Sequence, residues 1–356
     1  MAQAIKTIHV GAGISGCHWL EAVRDYPAAT SVACVDAQPL QLEWVKRNFD
    51  RLRGSCYQNL KQALTHVNAD AAIVSSPPSI RAADVITALE AGLAVIVEAP
   101  FAIKLADAVR ILETARQSGL AVIVGHDYRY RRCQQILQKL VHADKTGTIT
   151  HVSYVDRRTR PVQGNFVNHF DYAQLLDAGV HHLRTLRSIF GVNPVRIAGR
   201  CSNAPWSRYQ HGSTTEAIIE MENNIHIQYY GSLTSNRSES VLWIEGKNGI
   251  LRAGQQGVWW RKRGWRFFLP IRLSKIPAPE RRNRPRRGSV ALLDQLTSAV
   301  KLKRVPQING EDYLWTLAMM EAVMLSDRTG KLIEVADVWN SAGIGQDSHL
   351  SQAVTA

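Results

Sequence analysis

Gly11, Gly13 and Gly16 form a G-x-G-x-x-G run directly behind the short apolar stretch Ile8 to Val10. The chemistry such a run serves is the cradling of a phosphate. The first glycine allows a tight turn, the second lets the backbone approach a pyrophosphate, and the third lets helix and strand pack closely. The N–H groups that open the following amphipathic stretch, at Ile14 and Ser15, add the positive end of a helix dipole. About twenty residues after Gly16, Asp36 closes the next apolar run, Val32 to Val35. A carboxylate there accepts hydrogen bonds from ribose hydroxyls and repels a 2′-phosphate, so the pattern favours NAD over NADP. Ala37, Gln38 and Pro39 follow, with no cation to reverse that preference. Asp36 also suits the cap of the next helix, and the two roles coexist.

These residues need a strand, a turn and a helix in that order, and the sequence repeats the order. Apolar runs at Ala71 to Val74, Ala94 to Val97 and Leu120 to Val124 alternate with helical patterns at about 40–50, 81–91 and 105–118. Buried strands alternating with helices imply a doubly wound parallel α/β sheet, a Rossmann domain, over residues 1–125. Ligands in such sheets bind beyond the carboxyl ends of the strands, where Gly11, Asp36, Ser76, Glu98 and Gly125 fall. After residue 125 the texture changes. Helical patterns at 134–140 and 169–190 enclose a strand pattern at Thr148 to Val155, with a loop holding Arg157, Arg158 and Arg160. Alternating strand patterns then run from Val195 to Arg261, with hairpin turns at Asn223-Asn224 and Lys247-Asn248-Gly249. Two more helices are expected near 289–300 and 311–327. Residues 126–340 therefore read as an α+β domain with a largely antiparallel open sheet, and 341–356 as a polar, disordered tail.

The 356 residues suit two domains, and their 45% apolar content is that of a soluble protein. The sequence contains no run long enough for a membrane helix, and the first strand begins too early for a signal peptide. Five scattered cysteines without a C-x-x-C pair point to reduced thiols in a cytoplasm. The net charge of +13 is concentrated in 260–288, where arginines and lysines are interleaved with Trp259, Trp260, Trp265, Phe267 and Phe268. The first reading is a solvated hairpin followed by a flexible basic loop. Contact with an anionic membrane surface is the lesser alternative, and no fold for specific nucleic-acid binding accompanies the patch.

Ser76-Pro77, Glu98-x-Pro100, Asp177-Ala178-Gly179-Val180-His181 and Trp243-Ile244-Glu245-Gly246 with Gly249 join the glycine run in a set that resembles the Gfo/Idh/MocA family, the glucose–fructose oxidoreductase and inositol dehydrogenase group. The resemblance spans about residues 4 to 335. It implies a nicotinamide-binding Rossmann domain contacted through Gly11, Gly13, Ile14, Ser15, Gly16, Asp36, Ser76, Pro77 and Glu98. It also implies a second domain whose open sheet builds homodimers or homotetramers, and hydride transfer on small sugar-like substrates. Asp177 and His181 match the family's Asp-x-x-x-His pattern. Residues i and i+4 share a helix face, and imidazole titrates near neutrality. His181 is thus the expected proton-transfer group and Asp177 its partner or a substrate ligand. His182 points about 100 degrees away and reads as structural. Tyr128 and Arg129 match the segment that crosses from cofactor to substrate domain. His169, Asp171, Asp177 and His181 raise the idea of a metal, which the family pattern does not require, and none is expected.

Three departures from that pattern shape the expected chemistry. Alanine, Ala99, stands where the family's Glu-Lys-Pro carries a lysine that assists proton transfer. Loss of one such group costs roughly 10²- to 10⁴-fold in rate. Arg184 stands where many members carry Asp and favours an anionic substrate. Arg81 stands where many carry His, aimed at a substrate or cofactor charge or solvated at the surface. The leading expectation is an oxidoreductase acting on a sugar-like, anionic hydroxyl or carbonyl compound. The alternatives are a reductase of a C=N or conjugated double bond, of imine or bilin type, and a non-catalytic cofactor-sensing regulator.

Overall fold

The computed structural model describes residues 3–125, 132–160, 170–271, 287–303 and 310–344. The chain divides into two compact units: Met1–Asp127 with Pro279–Leu314 and Gln346–Ala356, and Tyr128–Ala278 with Trp315–Gly345.

The first unit is built on six parallel strands: β1 (Ile5–Val10), β2 (Ala29–Val35), β3 (Cys56–Tyr57), β4 (Ala71–Val74), β5 (Ala94–Glu98) and β6 (Val122–Gly125). Their order across the sheet is β3-β2-β1-β4-β5-β6, the doubly wound order with its switch point between β1 and β4. The connecting helices are α1 (Ile14–Arg24), α2 (Pro39–Asn48), α3 (Leu60–His66), α4 (Pro78–Glu90) and α5 (Leu105–Ser118). A parallel sheet must be covered on both faces, and its strands accordingly read as apolar runs. Ile73, Ile96 and Ile123 stand side by side in register on β4, β5 and β6, all buried. His9 occupies the same row on β1, with its Nε2 2.9 Å from Ser31 Oγ.

Two features of this unit differ from the sequence expectation. Strand β3 went unread because two residues carry no periodicity; pairing of Cys56 and Tyr57 with Cys34 and Val35 makes it a strand. The single block expected over 126–340 also does not hold. Helix α8 (Arg287–Leu302) belongs to the first unit, where it packs on β5, β6 and α1. Its buried Leu292, Leu293 and Leu296 supply the cover that face of the sheet requires.

The second unit opens with α6 (Arg132–His142) and carries α7 (Val180–Phe190) early in its chain. Its sheet has nine strands: β7 (Ile149–Thr159), β8 (Pro194–Ser202), β9 (Thr214–Met221), β10 (Ile225–Ser232), β11 (Thr234–Gly246), β12 (Gly249–Gly254), β13 (Gly257–Lys262), β14 (Leu269–Pro270) and β15 (Ile333–Glu334). They lie in the order β14-β13-β12-β11-β7-β10-β9-β8-β15. Neighbours are antiparallel except β7 and β10, which run parallel. Strict alternation gives the sheet one apolar face. Ile197, Ile219, Ile227, Val152, Ile244, Leu251 and Trp260 form one buried row across seven strands. The hairpin at Asn223 and Asn224 turns with φ of 60° and 57°, a region that asparagine tolerates. Arg157 and Arg158, expected in a loop, lie within β7, which runs four residues beyond the expected end. Helix α9 (Gly310–Thr329) passes from the first unit to the second at Leu314, and α10 (Val335–Ser341) closes the described chain.

Candidate functional site

Each unit carries one half of the expected chemistry. In the first, β1 delivers the chain into the glycine turn. Gly11 has φ +96°, and a Cβ there would sit 2.7 Å from the Ser75 carbonyl carbon and the Ser76 nitrogen. A Cβ on Gly16 would run into the Gly11 carbonyl oxygen. A Cβ on Gly13 would meet no atom of the protein within 4 Å. Two of the glycines are thus demanded by the chain's own packing, and the third faces open space. Helix α1 begins there with no side-chain cap and no acidic residue in its first turn, so its N-terminal N–H groups lack intrahelical acceptors and keep their positive field. Ile14, the first helical residue, is 74% exposed. An open glycine at an uncapped helix start is the cradle a pyrophosphate needs, and the residues present fit a dinucleotide.

Asp36, just past β2, accepts the Ala12 N–H at 2.7 Å through Oδ2 and the Gln38 N–H at 2.8 Å through Oδ1. Its carboxylate is therefore fixed, and each oxygen retains a lone pair for a further donor. Glu98 Oε1 accepts the Trp19 indole N–H at 2.7 Å, which holds the end of β5 against α1. Pro77 stands immediately before α4 as its N-cap, and its carbonyl accepts the N–H groups of Ile80 and Arg81.

Arg81 is neither solvated nor directed at a ligand. It is buried, and four of its guanidinium hydrogens are used on main-chain carbonyls. Nε and Nη2 donate to the Ser76 oxygen at 2.8 and 2.6 Å, and Nη1 donates to the Glu98 and Pro100 oxygens at 3.1 and 2.6 Å. One side chain thereby ties the turn after β4 to the turn after β5. Burial lowers its pKa to about 10, which still leaves it charged at neutral pH. Ala99 sits between two of those carbonyls, at a cis Ala99-Pro100 peptide, and offers only a methyl group.

In the second unit, Asp177 and His181 lie on one continuous helical run that contains a π-helical turn, Leu175–Gly179. Such wide turns occur mostly at functional sites. Asp177 pairs with the Arg160 guanidinium at the end of β7. No local pattern announces that pairing, because the two residues lie seventeen positions apart on different elements. His181 is half-buried one turn beyond Asp177, and its carbonyl accepts the Thr185 hydroxyl at 2.8 Å.

His182 points into a buried polar set. The Tyr229 hydroxyl on β10 accepts the Gln174 side-chain N–H at 2.7 Å and lies 2.9 Å from His182 Nδ1. Burial pushes the Tyr229 phenol well above its ordinary range, so it keeps its proton, and Arg158 Nη2 lies 3.4 Å from His182 Nε2. Asp156 Oδ1 lies 3.6 Å from His182 Nε2, and Asp156 Oδ2 accepts from Arg158 Nε at 2.7 Å. One phenol therefore pins Gln174 and His182, the residues flanking the π-helical turn on either side. Gly231 beneath them has no room for a Cβ, which would strike Gln174 and Tyr229.

Arg184, on α7, is buried and engaged rather than solvated. Tyr128, Arg129 and His169 lie outside the described residues. Among the described residues no three His, Cys, Asp or Glu side chains converge as a metal site would require, and no helix is long and apolar enough to cross a membrane.

An oxidoreductase family model, described as an NAD-binding Rossmann fold, matches residues 5–126. The GFO/IDH/MocA C-terminal domain model matches residues 135–252. D-apiose dehydrogenase of Paraburkholderia graminis is 24% identical over 347 residues, 94% of this chain and 90% of that protein. 1,5-anhydro-D-fructose reductase of Ensifer adhaerens is 22% identical over 297 residues, 79% of this chain and 84% of that protein. A crystal structure of an oxidoreductase from Agrobacterium radiobacter in complex with NAD+, L-tartaric acid and magnesium shares the fold. Its TM-score is 0.80 at 18% identity, over 94% of this chain and 99% of that one. With both domain models matched in order and the glycine cradle formed, the chain belongs to the GFO/IDH/MocA family and is an NAD-binding oxidoreductase.

Proposed function

We propose that the protein moves a hydride to or from a hydroxyl- or carbonyl-bearing carbon of a sugar-like compound, with His181 carrying the proton. NAD, when bound, supplies or accepts the hydride. The N–H groups of Ile14 and Ser15 beside Gly13 would hold its pyrophosphate, and the Asp36 carboxylate a ribose hydroxyl. Ser76, Pro77 and Glu98, on the turns that Arg81 braces, would line the rest of the cofactor.

The observation that carries the reading is the π-helical turn pinned through Tyr229. It fixes Asp177 and His181 on one run, and the Arg160 ion pair holds the Asp177 carboxylate one helical turn from the His181 imidazole. His181 takes the hydroxyl proton during oxidation and returns it during reduction. Ala99 supplies no second proton donor, so this duty falls on His181. D-apiose dehydrogenase and 1,5-anhydro-D-fructose reductase, both similar along most of the chain, support a sugar-like substrate. Arg184, a cation one helical turn beyond His181, is the feature that favours a negative charge on that substrate.

The test is a panel of neutral and acidic polyols and hydroxy aldehydes, assayed by NADH absorbance with wild type and His181→Ala. Acidic compounds should turn over faster. His181→Ala should lose about 10²- to 10⁴-fold in kcat while NAD still binds with unchanged affinity. Undiminished turnover in that variant would refute the assignment of the proton to His181.

A further inference from the structure

Beyond β13 the chain turns at Gly264 and returns through β14, the edge strand of the nine-stranded sheet. This hairpin leaves Trp265, Phe267 and Leu269 exposed at 49%, 73% and 47%. Lys262, Arg263 and Arg266, also exposed, are interleaved with them. Phe268 explains the arrangement. Its ring packs edge-on against Trp243 at 5.6 Å, with the Arg261 guanidinium 5.1 Å from its centroid. Phe268 is thus the anchored ring of this segment, while its neighbours Phe267 and Leu269 stay exposed. Beside the hairpin lies a cleft of about 620 Å³ with four cations in its wall, Lys247, Arg261, Lys262 and Arg263, against the single carboxylate of Glu245.

Hydride transfer explains neither the apolar lip nor the cationic cleft. Exposed aromatics and a leucine between lysines and arginines are the composition of a surface that rests at a membrane interface. The rings and the aliphatic side chain enter the headgroup boundary while the cations face anionic lipid. A single strand of nucleic acid would use the cations and the rings, but Leu269 has no π-face on which a base could stack. A second copy of the chain, docked by two-fold symmetry on the same lip, would bring like charges face to face.

We propose that the β13–β14 hairpin docks this protein on an anionic phospholipid surface, with headgroup phosphates in the cationic cleft and Trp265, Phe267 and Leu269 in the interface. Docking of this kind is peripheral and reversible.

Co-sedimentation of the full chain with phosphatidylcholine vesicles, with and without phosphatidylglycerol, tests this. Binding should require phosphatidylglycerol, blue-shift tryptophan emission and weaken as salt is raised. The triple variant Lys262→Ser, Arg263→Ser, Arg266→Ser should bind roughly 100-fold more weakly, and Trp265→Ser, Phe267→Ser, Leu269→Ser should lose most of the remaining affinity at high salt. Both variants should keep the wild-type circular dichroism and NAD affinity, which separates lost docking from lost folding. Four outcomes overturn the proposal. The wild type could ignore anionic vesicles. The apolar variant could bind them as well as wild type. Inorganic phosphate at millimolar concentration could displace the protein completely, which would mark a free-anion site. A single-stranded oligonucleotide or self-association, followed by light scattering, could prove to be what the hairpin variants lose instead.

Discussion

A methyl group has nowhere to go at Gly11 or Gly16, whereas at Gly13 it would enter open space. Alanine at Gly11 must also adopt a φ of +96°, so Gly11→Ala should destabilise the protein by roughly 1–3 kcal/mol. Gly13→Ala should leave the melting temperature unchanged and weaken NAD binding, because the added carbon occupies the space a phosphate needs. Differential scanning fluorimetry with and without NAD measures both, and equal loss of stability in the two variants would contradict the division of roles. His9 makes a second argument at this scale. Burial lowers its pKa from 6.5 to about 3. The unfolded chain therefore binds a proton below about pH 6.5 that the folded chain refuses, and stability falls as pH drops through that window, by about 1.4 kcal/mol per unit. His9→Val, suited to a buried strand position, should flatten that acid limb. Urea titrations between about pH 6 and 4 would show an unchanged slope if His9 is not the group responsible.

Turns at the carboxyl ends of β4 and β5 owe their shape to a helix residue. Arg81 reaches from the first turn of α4 to the carbonyls of Ser76, Glu98 and Pro100. Arg81→Met would leave those oxygens buried without a donor, at about 3 kcal/mol or more. It should also weaken NAD binding, because the turns it joins carry Ser76, Pro77 and Glu98. Urea denaturation and NAD titration of the variant should therefore move together, and a change in neither would show that the clamp is dispensable. The corresponding device in the second unit is the Tyr229 phenol, which joins Gln174 to His182 across the π-helical turn. In both units a single buried polar group sets the geometry of a functional turn by holding two points of the chain at once.

At the scale of the whole molecule, the chain leaves the first unit after Asp127 and comes back to it at Pro279. A dinucleotide-binding sheet completed by a helix more than 160 positions beyond its last strand cannot finish folding until most of the chain exists. Leu293 on α8 is fully buried, and Leu293→Ala should cost about 2–5 kcal/mol. NAD at about one hundred times its Kd should restore about 2.7 kcal/mol of that loss, since the loss falls within the NAD-binding unit. A calorimetric scan in which NAD fails to raise the transition of this variant would place Leu293 outside the cofactor unit's cooperative core.

Much of this was legible in the residues themselves. The glycine run, Asp36 and the apolar strands of the first unit are local patterns. So are the hairpins at Asn223-Asn224 and Lys247-Asn248-Gly249, where Asn223, Asn224 and Gly249 take positive φ. Asp177 and His181 were legible because one helical run carries both. Packing alone decided the rest: that two residues at Cys56 make an edge strand, that Arg157 and Arg158 extend β7, that Asp177 meets Arg160, and that Arg81 braces two turns instead of meeting a ligand. Periodicity reports which face of a segment is apolar. It carries no information about what covers that face or which distant carbonyls a buried guanidinium will reach, because those choices are made by shape and hydrogen-bond demand between elements only when the chain has closed around them.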